Sequence, residues 1–259
     1  MVKMIGINCI LLDIEGTTCP VSFVKESLFL YADNNLESFM VRKRHEPGIK
    51  ALIQEVKKAW RHESDPEAPS HLTASEDPIT ESQIATEREM ELKYLRWLMQ
   101  KDKKLSALKE LQGMIWREGY TKGELKSPLF EDVAPSLRQW SNYRFKLAVY
   151  SSGSVDAQKL LYQHSCVGDL RFLFQDWFDT NLGRKINASS YMKIAKKLNA
   201  SGSQILFISD STKELEAAYD SKFRVLFSNR PGNPESDPGK FEGINSLSEV
   251  HLERSHLIT

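Results

Sequence analysis

The sequence has little cysteine, no long apolar run and no excess of charge of either sign. Its three cysteines, Cys9, Cys19 and Cys166, are odd in number and show no C-x-x-C spacing, so a disulfide framework is not expected and a reducing compartment is favoured. No stretch approaches the roughly 20 consecutive apolar residues that a membrane helix requires. The start of the chain shows no signal-peptide cleavage pattern.

The charge balance excludes further classes of partner. With 35 basic and 35 acidic residues the formal net charge is zero, which argues against wholesale binding of nucleic acid or of anionic membranes. A nucleoside triphosphatase would need the motif G-x-x-x-x-G-K-[ST], and the sequence does not contain it. We therefore expect the protein to be cytoplasmic, or both cytoplasmic and nuclear if its source is eukaryotic. We expect neither nucleic acid nor a membrane as its partner.

The two ends of the chain indicate an α/β fold. Residues 5–12 form a nearly continuous apolar run, which is typical of a strand buried on both faces of a parallel sheet. After residue 124, predicted strands alternate with predicted helices, and the chain's last strand is expected at 223–227. Such repeats imply a parallel sheet with right-handed crossovers and helices on both faces. The other strands are expected at 145–150 and 205–208, and the helices at 133–143, 155–164, 189–198 and 213–220.

The middle of the chain has a different texture. Apolar residues recur at helical spacing at 49–60, 84–100 and 105–119, and no strand pattern is evident. A polar, proline-containing stretch at 62–78 is typical of a loop. A length of 259 residues allows a core domain with a smaller insert. We therefore predict a core formed by residues 1–24 and 124–259, with an all-helical insert at 25–123.

Chemically active side chains follow the predicted strands, where ligands bind in parallel sheets. Carboxylates gathered at one place repel each other, and a hard divalent cation such as Mg²⁺ relieves that repulsion. The serines open a helix whose N-terminal N–H groups favour an anion, and a lysine is a point-charge partner for phosphate. Together they predict phosphoryl transfer, with a carboxylate as nucleophile. In chain order these residues are Asp13, Glu15, Ser151, Ser152, Lys185, Asp210 and Glu214.

Each of these residues has a plainer interpretation when it is taken alone. An acidic residue after a strand is usually a solvated loop residue or a helix cap, and two serines before a helix are usually its N-cap. A single lysine is nearly always a surface residue. The hypothesis of a phosphoryl-transfer site therefore depends on their joint occurrence, each at or near the end of a predicted strand.

Six sequence blocks resemble one known family. The pattern around Asp13 resembles the haloacid dehalogenase superfamily, and Glu15 stands where most of that superfamily has a second aspartate. The match is closer to the enolase-phosphatases of methionine salvage, although Cys19 stands where that family often has threonine. The blocks are ILLDIEGTT, LQGMIWREGY, VYSSGSVDAQKLL, FDTNLGRK, ILFISD and RPGN.

The resemblance implies a Rossmann-like core with an all-helical cap, formed here by the insert. It implies a bifunctional, monomeric enzyme that enolises 2,3-diketo-5-methylthiopentyl-1-phosphate and hydrolyses its phosphate. Asp13, Glu15 and Lys185 would be catalytic, with Ser151, Ser152 and Lys185 binding substrate. One Mg²⁺ per subunit would be held by Asp13, Glu15 and Asp210, with Glu15 contributing its backbone carbonyl.

Two other functions remain open at this point. The same chemistry could act on another small phosphorylated metabolite without an enolase step, since the insert is the least legible part of the sequence. The fold could also serve as a binding module without chemistry, although every motif residue is present. The sequence does not identify the base that would remove the enolising proton.

Overall fold

The chain divides into two compact units. The structure, a computed structural model, describes residues 1–70 and 80–254, so the loop predicted at 62–78 lies partly outside the described residues. The first unit consists of Met1–Lys25 and Leu125–Thr259, and the second of Glu26–Glu124. We refer to them as the core unit and the cap unit.

The core unit contains all the strands of the described residues and four of the α-helices. The strands are β1 (Val2–Ile5), β2 (Cys9–Leu12), β3 (Lys146–Tyr150), β4 (Asp176–Phe178), β5 (Ile205–Ser209), β6 (Arg224–Ser228), β7 (Gly243–Ile244) and β8 (Val250–Glu253). The helices, numbered along the whole chain, are α1 (Leu30–Lys43), α2 (Pro47–Arg61), α3 (Glu81–Gln100), α4 (Ser106–Lys122), α5 (Val133–Asn142), α6 (Val155–Gln163), α7 (Ala188–Leu198) and α8 (Thr212–Asp220). Helices α5 to α8 belong to the core unit.

A six-stranded parallel sheet organises the core unit, in the order β4-β3-β2-β5-β6-β7. Every residue of β2 and β5 is buried, as expected for central strands covered on both faces. Side chains of α7 and α8 pack against β5 in one apolar cluster that includes Phe207, Tyr191 and Leu215. The expectation of a parallel sheet with helices is confirmed.

Two details of the sequence-based prediction are wrong. The apolar run 5–12 is not one strand, because Gly6 adopts a left-handed conformation (φ 83°) that separates β1 from β2. Strand β1 pairs with β8 in a separate two-stranded sheet. Residues 223–227 are also not the last strand, since β7 and β8 follow; both are too short or too mixed in composition to show a periodic pattern.

The described residues of the cap unit form α1 to α4 and contain no strand. Thr80 and Gln83 form a capping box at the start of α3, and α4 is terminated by the residue that follows it, Gly123, which is left-handed (φ 75°). The aromatic residues form a core: Trp60 stacks on Tyr94 at 5.0 Å between ring centroids. Among the helices of residues 1–70 and 80–254, none is both long and apolar enough to cross a bilayer.

Candidate active site

Three strand ends meet at one edge of the sheet. Asp13 directly follows β2, Ser151 follows β3 and Asp210 follows β5. Strand β2 lies between β3 and β5, and Leu12 is level with Val149 on one side and Ile208 on the other. The parallel register therefore places residues far apart in sequence at the same end of adjacent strands.

Asp13 is buried and its carboxylate is held from both sides. The backbone N–H of Asp13 donates to Ile208 O at 3.0 Å, which continues the ladder towards β5. Its Oδ1 accepts a hydrogen bond from the N–H of Ile14 at 2.8 Å. Its Oδ2 accepts from Lys185 Nζ at 2.7 Å and from Ser209 Oγ at 3.2 Å. The carboxylate thus has a fixed orientation beside a cation, as a nucleophile requires.

Lys185 is buried between two carboxylates. Its ammonium lies 2.7 Å from Asp13 Oδ2 and 2.6 Å from Glu214 Oε2, with 7% of the side chain exposed. Burial by itself would lower the pKa of Lys185, but the charges and hydrogen bonds of Asp13 and Glu214 outweigh it and raise the pKa above the ordinary value. Lys185 is therefore a permanent cation at this site.

Glu214 is part of the site, although it was not assigned a role from the sequence. It lies in the first turn of α8 and accepts from Ser209 Oγ at 3.0 Å as well as pairing with Lys185. Burial raises the pKa of Glu214, against the opposing effect of Lys185. Its position four residues after Asp210, about one helical turn, is the feature of the sequence that could have indicated its place in the site.

The turn after Asp13 requires glycine. Gly16 has φ 68°, and a Cβ there would collide with Asp210 Oδ2 and stand 2.8 Å from Asn233 Oδ1. The missing side chain thus allows the carboxylate of Asp210 to lie against the turn. Burial and the nearby charge of Asp13 raise the pKa of Asp210 to about 7.

The segment after β6 holds this turn in place. Ser228 Oγ and Asn233 Nδ2 both donate to Gly16 O, at 3.0 and 2.9 Å. Arg230 donates from Nε to Thr17 O at 3.3 Å and forms a two-point ion pair with Asp132, with N–O distances of 2.7 and 2.9 Å. Sequence reasoning missed these supports, because the RPGN block lies more than two hundred residues from Asp13.

The residues present fit a small hard cation. In residues 1–70 and 80–254 no group of three or more His, Cys, Asp and Glu side chains is arranged to hold a metal. The predicted set needs only the carboxylates of Asp13 and Asp210 with the backbone carbonyl of Glu15. Within the same described residues, the buried Oδ1 of Asn233 accepts no hydrogen bond, and like Asp210 Oδ2 it lies beside the Gly16 turn. These are oxygen ligands of the kind that Mg²⁺ prefers.

The predicted substrate residues lie on the loop between β3 and α6. Ser151 is buried, donates its N–H to Phe178 O at 3.2 Å, and accepts from the N–H of Gly153 at 3.3 Å. Gln158 Nε2 donates to Gly153 O and Phe178 O, both at 2.8 Å, which fixes the loop. Ser152 has an exposed side chain. The first turn of α6 is capped by side chains: the N–H of Val155 donates to Asp179 Oδ2 and that of Ala157 to Ser154 Oγ, both at 3.3 Å.

The structure brings the predicted residues together to different degrees. Asp13 and Lys185 are in direct contact, and Asp210 lies close enough for the charge of Asp13 to change its pKa. Glu15 is half-buried, and its backbone forms an isolated β-bridge with Cys19 within the same turn. Ser151 follows the strand adjacent to β2.

Comparisons with known proteins agree on one family. A family model described as haloacid dehalogenase-like hydrolase matches residues 7–220. The chain is 45% identical over 250 residues to enolase-phosphatase E1 of Synechococcus sp. (strain RCC307), covering 96% of each chain. It is 41% identical over 246 residues to enolase-phosphatase E1 of Aquifex aeolicus, covering 95% of this chain and all of the relative.

Solved structures are similar as well. The UTR4 protein of Saccharomyces cerevisiae aligns with a TM-score of 0.72 and 29% identity, covering 93% of this chain and 98% of its own. CbbY from Rhodobacter sphaeroides, in complex with xylulose-1,5-bisphosphate, aligns with a TM-score of 0.55 and 17% identity, over 95% and 97% of the two chains. At that identity the second likeness shows the fold alone.

Proposed function

The chain belongs to the haloacid dehalogenase-like hydrolases and, within them, to the enolase-phosphatase family, and from this premise we propose its reaction. The enzyme converts 2,3-diketo-5-methylthiopentyl-1-phosphate to the acireductone 1,2-dihydroxy-3-keto-5-methylthiopentene and phosphate, in methionine salvage. The phosphate leaves through an aspartyl-phosphate on Asp13. The observation that carries this proposal is the buried Asp13 carboxylate in direct contact with Lys185 at the strand end.

In the phosphoryl-transfer step, Asp13 attacks phosphorus and Lys185 neutralises charge on the phosphoryl oxygens. Ser151 and Ser152 bind the remaining oxygens. Glu15 protonates the leaving alkoxide and then activates the water that hydrolyses the aspartyl-phosphate. Support for this division of roles comes from the family, from the positions of Asp13 and Ser151 after adjacent strands, and from the contact of Lys185 with Asp13.

Glu214 keeps Lys185 in place while Asp13 is phosphorylated. When Asp13 becomes an acyl phosphate, its carboxylate charge is lost and Lys185 loses one of its two anionic partners. The contact at 2.6 Å with Glu214 Oε2 remains, and Ser209 keeps the orientation of Glu214. The ammonium is therefore anchored from one side and available to phosphate on the other.

We propose one Mg²⁺ per subunit, held by Asp13, the backbone carbonyl of Glu15 and Asp210. When bound, this ion supplies neutralisation of phosphoryl charge and polarisation of an enolate oxygen. The chain's contribution is to hold two carboxylates at adjacent strand ends, against the glycine turn that gives Asp210 its room.

We also propose that the enzyme is a cytoplasmic monomer whose partner is its small phosphorylated substrate. The family resemblance and the balanced charge of the chain support this. Light scattering coupled to size exclusion would test the oligomeric state, and a mass of twice 29.7 kDa would contradict it.

A substrate panel tests the reaction. With Mg²⁺ and the diketo phosphate, we expect ultraviolet absorbance of an enol to rise and phosphate to be released in equal amount. The same panel includes an aryl phosphate and other small phosphate esters as comparators. Phosphate release from the diketo substrate without any enol signal would instead favour a phosphatase of another metabolite. No hydrolysis of any ester would favour a binding module.

A further inference from the structure

Three successive carbonyl groups of the loop that carries Lys185 each accept a hydrogen bond from a buried hydroxyl. Tyr150 Oη donates to Gly183 O at 2.8 Å, and Ser190 Oγ donates to Arg184 O at 2.8 Å. Tyr191 Oη donates to Lys185 O at 2.7 Å. The loop, between β4 and α7, has no helix or strand of its own, so these hydroxyls connect its backbone to regular structure.

The three hydroxyls belong to buried residues of regular structure in the core unit. Tyr150 ends β3, and Ser190 and Tyr191 lie in the first turn of α7. The two tyrosines are fully buried and Ser190 is 1% exposed. The rings of Tyr150 and Tyr191 pack edge to face with their centroids 5.6 Å apart, and the ring of Tyr191 also packs against that of Phe207, with centroids 5.3 Å apart. Each hydroxyl therefore has a fixed position relative to the sheet.

The loop lies close against α7. A Cβ at Gly183 would collide with Ser190 Oγ, the hydroxyl that binds the next carbonyl. Any side chain at 183 would therefore push the Ser190 hydroxyl away from Arg184 O. This close approach makes glycine necessary for the contact, whatever the backbone conformation.

We propose that Tyr150, Ser190 and Tyr191, which we call the hydroxyl clamp, are positioning residues for Lys185. A lysine ammonium sits on a flexible four-carbon stem, so its position depends on where the backbone begins. By fixing the carbonyls of residues 183–185, the clamp places the ammonium between Asp13 and Glu214 and towards the phosphoryl oxygens. This inference deepens the proposed function and rests on Lys185 acting in phosphoryl transfer.

A purely structural role makes a different prediction. Buried carbonyl groups need donors in any fold, so removing a hydroxyl lowers stability even if Lys185 does not move. A positioning role requires in addition that binding of a transition-state mimic falls more than binding of the ground state. Orthovanadate and inorganic phosphate supply that contrast, because vanadate, unlike phosphate, readily takes a fifth oxygen ligand and then adopts the geometry of the transferring phosphoryl group.

The experiment measures kcat on the diketo phosphate, the affinity for orthovanadate and for phosphate with Mg²⁺, and the midpoint of thermal unfolding. The variants are Tyr150→Phe, Tyr191→Phe, Ser190→Ala and Gly183→Ala. We expect kcat to fall roughly tenfold in each tyrosine variant, and vanadate affinity to fall more than phosphate affinity. Gly183→Ala keeps every hydroxyl and should show the same pattern, because it displaces Ser190.

Ser221→Ala is the matched control. Ser221 Oγ donates to Ala188 O at 2.7 Å, which is the same chemistry on α7 but three residues beyond Lys185. It should lower the unfolding midpoint and leave kcat and the vanadate-to-phosphate ratio unchanged. The clamp is overturned if the tyrosine and Ser190 variants behave like Ser221→Ala. Should one of the tyrosine variants fail to fold, Ser190→Ala and Gly183→Ala decide the question.

The reference variant Lys185→Ala separates this inference from the proposed function. If it keeps wild-type vanadate affinity, Lys185 is not a phosphoryl-site residue and the proposed function fails with the clamp. If Lys185→Ala loses vanadate affinity but the variants of the hydroxyl clamp keep it, only the proposal of the hydroxyl clamp fails. Vanadate binding does not depend on the identity of the substrate, so the readout holds even if the diketo phosphate is not turned over.

Discussion

Both units of this enzyme bury charge, but they do so differently. In the core unit, Lys185 contacts Asp13 and Glu214 at 2.7 and 2.6 Å, and the two carboxylates share the single Ser209 hydroxyl, whose Oγ lies 3.2 and 3.0 Å from their oxygens. In the cap unit, Glu91 is 1% exposed and its charged neighbours, Arg44 and Lys57, are both 3.6 Å away. Neither oxygen of Glu91 has a hydrogen bond from the described residues.

The difference teaches that burial of a charge does not by itself mark a functional site. Burial raises the pKa of Glu91, against the opposing charges of Arg44 and Lys57, just as burial raises the pKa of Glu214. In the core unit, however, Asp13 stands at a strand end and Glu214 in the first turn of α8, and hydrogen-bonded partners fix the orientation of both carboxylates. Glu91 instead connects α3 to residues on or next to α1 and α2, as a structural charge would.

The sharpest test compares isosteric amides in the two units. Asp13→Asn removes the charge of the proposed nucleophile without changing its size and should lower phosphate release by roughly 10⁴-fold or more, with the fold intact. It should also prevent formation of the aspartyl-phosphate, measured by trapping and mass spectrometry. Glu91→Gln makes the same chemical change in the cap and should keep turnover of an aryl phosphate within about twofold. Full activity of Asp13→Asn would remove it from the nucleophile role.

The next comparison removes one lysine from each unit. Lys185→Ala should lower kcat/KM by roughly 10²- to 10³-fold, since a preorganised charge for the transferring group is lost. It also leaves Asp13 and Glu214 without their shared cation, so the metal-free protein should be less stable. Lys57→Ala in the cap should change aryl phosphate turnover by less than about twofold. Steady-state kinetics and thermal unfolding measure both effects. A change in stability alone for Lys185→Ala would assign that lysine a structural role.

A pH series tests the charge at Asp210. Its raised pKa of about 7 means that the folded, metal-free protein holds a proton that the unfolded chain has released. Stability contributed by Asp210 is therefore lost as pH rises from about 4 to about 7. Mg²⁺ competes with that proton, so its apparent affinity should be roughly tenfold weaker at pH 6 than at pH 8. Calorimetric titration of Mg²⁺ at both values provides the measurement. An Asp210→Asn variant should show weaker binding without this pH dependence, and equal wild-type affinity at both values would contradict the prediction.

The smallest effect is expected in the cap. Glu91→Leu replaces a desolvated carboxylate with an apolar side chain, and Arg44 and Lys57 each keep enough exposure to reach water. The free energy of unfolding should stay the same or rise by about 1–2 kcal/mol. Denaturant unfolding measures it. A loss of more than about 2 kcal/mol would show that the ion pairs of Glu91 stabilise the cap unit. The buried charges of the two units would then differ less in how well they are paired.

Much of the fold was predictable because the patterns are local. The buried runs of β2 and β5 and the amphipathic helices each follow from composition and spacing within a dozen residues. Asp13 and Lys185 were identified in the same way, since each stands in a recognisable block near a strand end. The prediction did not find β1, β4, β7 and β8, because strands of two to four residues leave little periodic signal.

The supports of the site could not be predicted from sequence. Tyr150 and Tyr191 look like ordinary core residues, and only the fold brings their hydroxyls to the loop of Lys185. Arg230 and Asn233 reach the turn after Asp13 from the far end of the chain. The spacing of Glu214 from Asp210 weakly indicated that Glu214 belongs to the site, but the sequence did not show that it pairs with Lys185.

The order of residues along this chain determined which chemistry was present: a carboxylate after a buried apolar strand, a lysine, a late aspartate and the glycine between them. Those features are local, and short-range sterics and burial suffice to specify them. The tertiary structure alone decided which oxygen each donor reaches and which buried charge is paired closely. Those outcomes depend on the register of parallel strands, which brings distant segments within hydrogen-bonding distance.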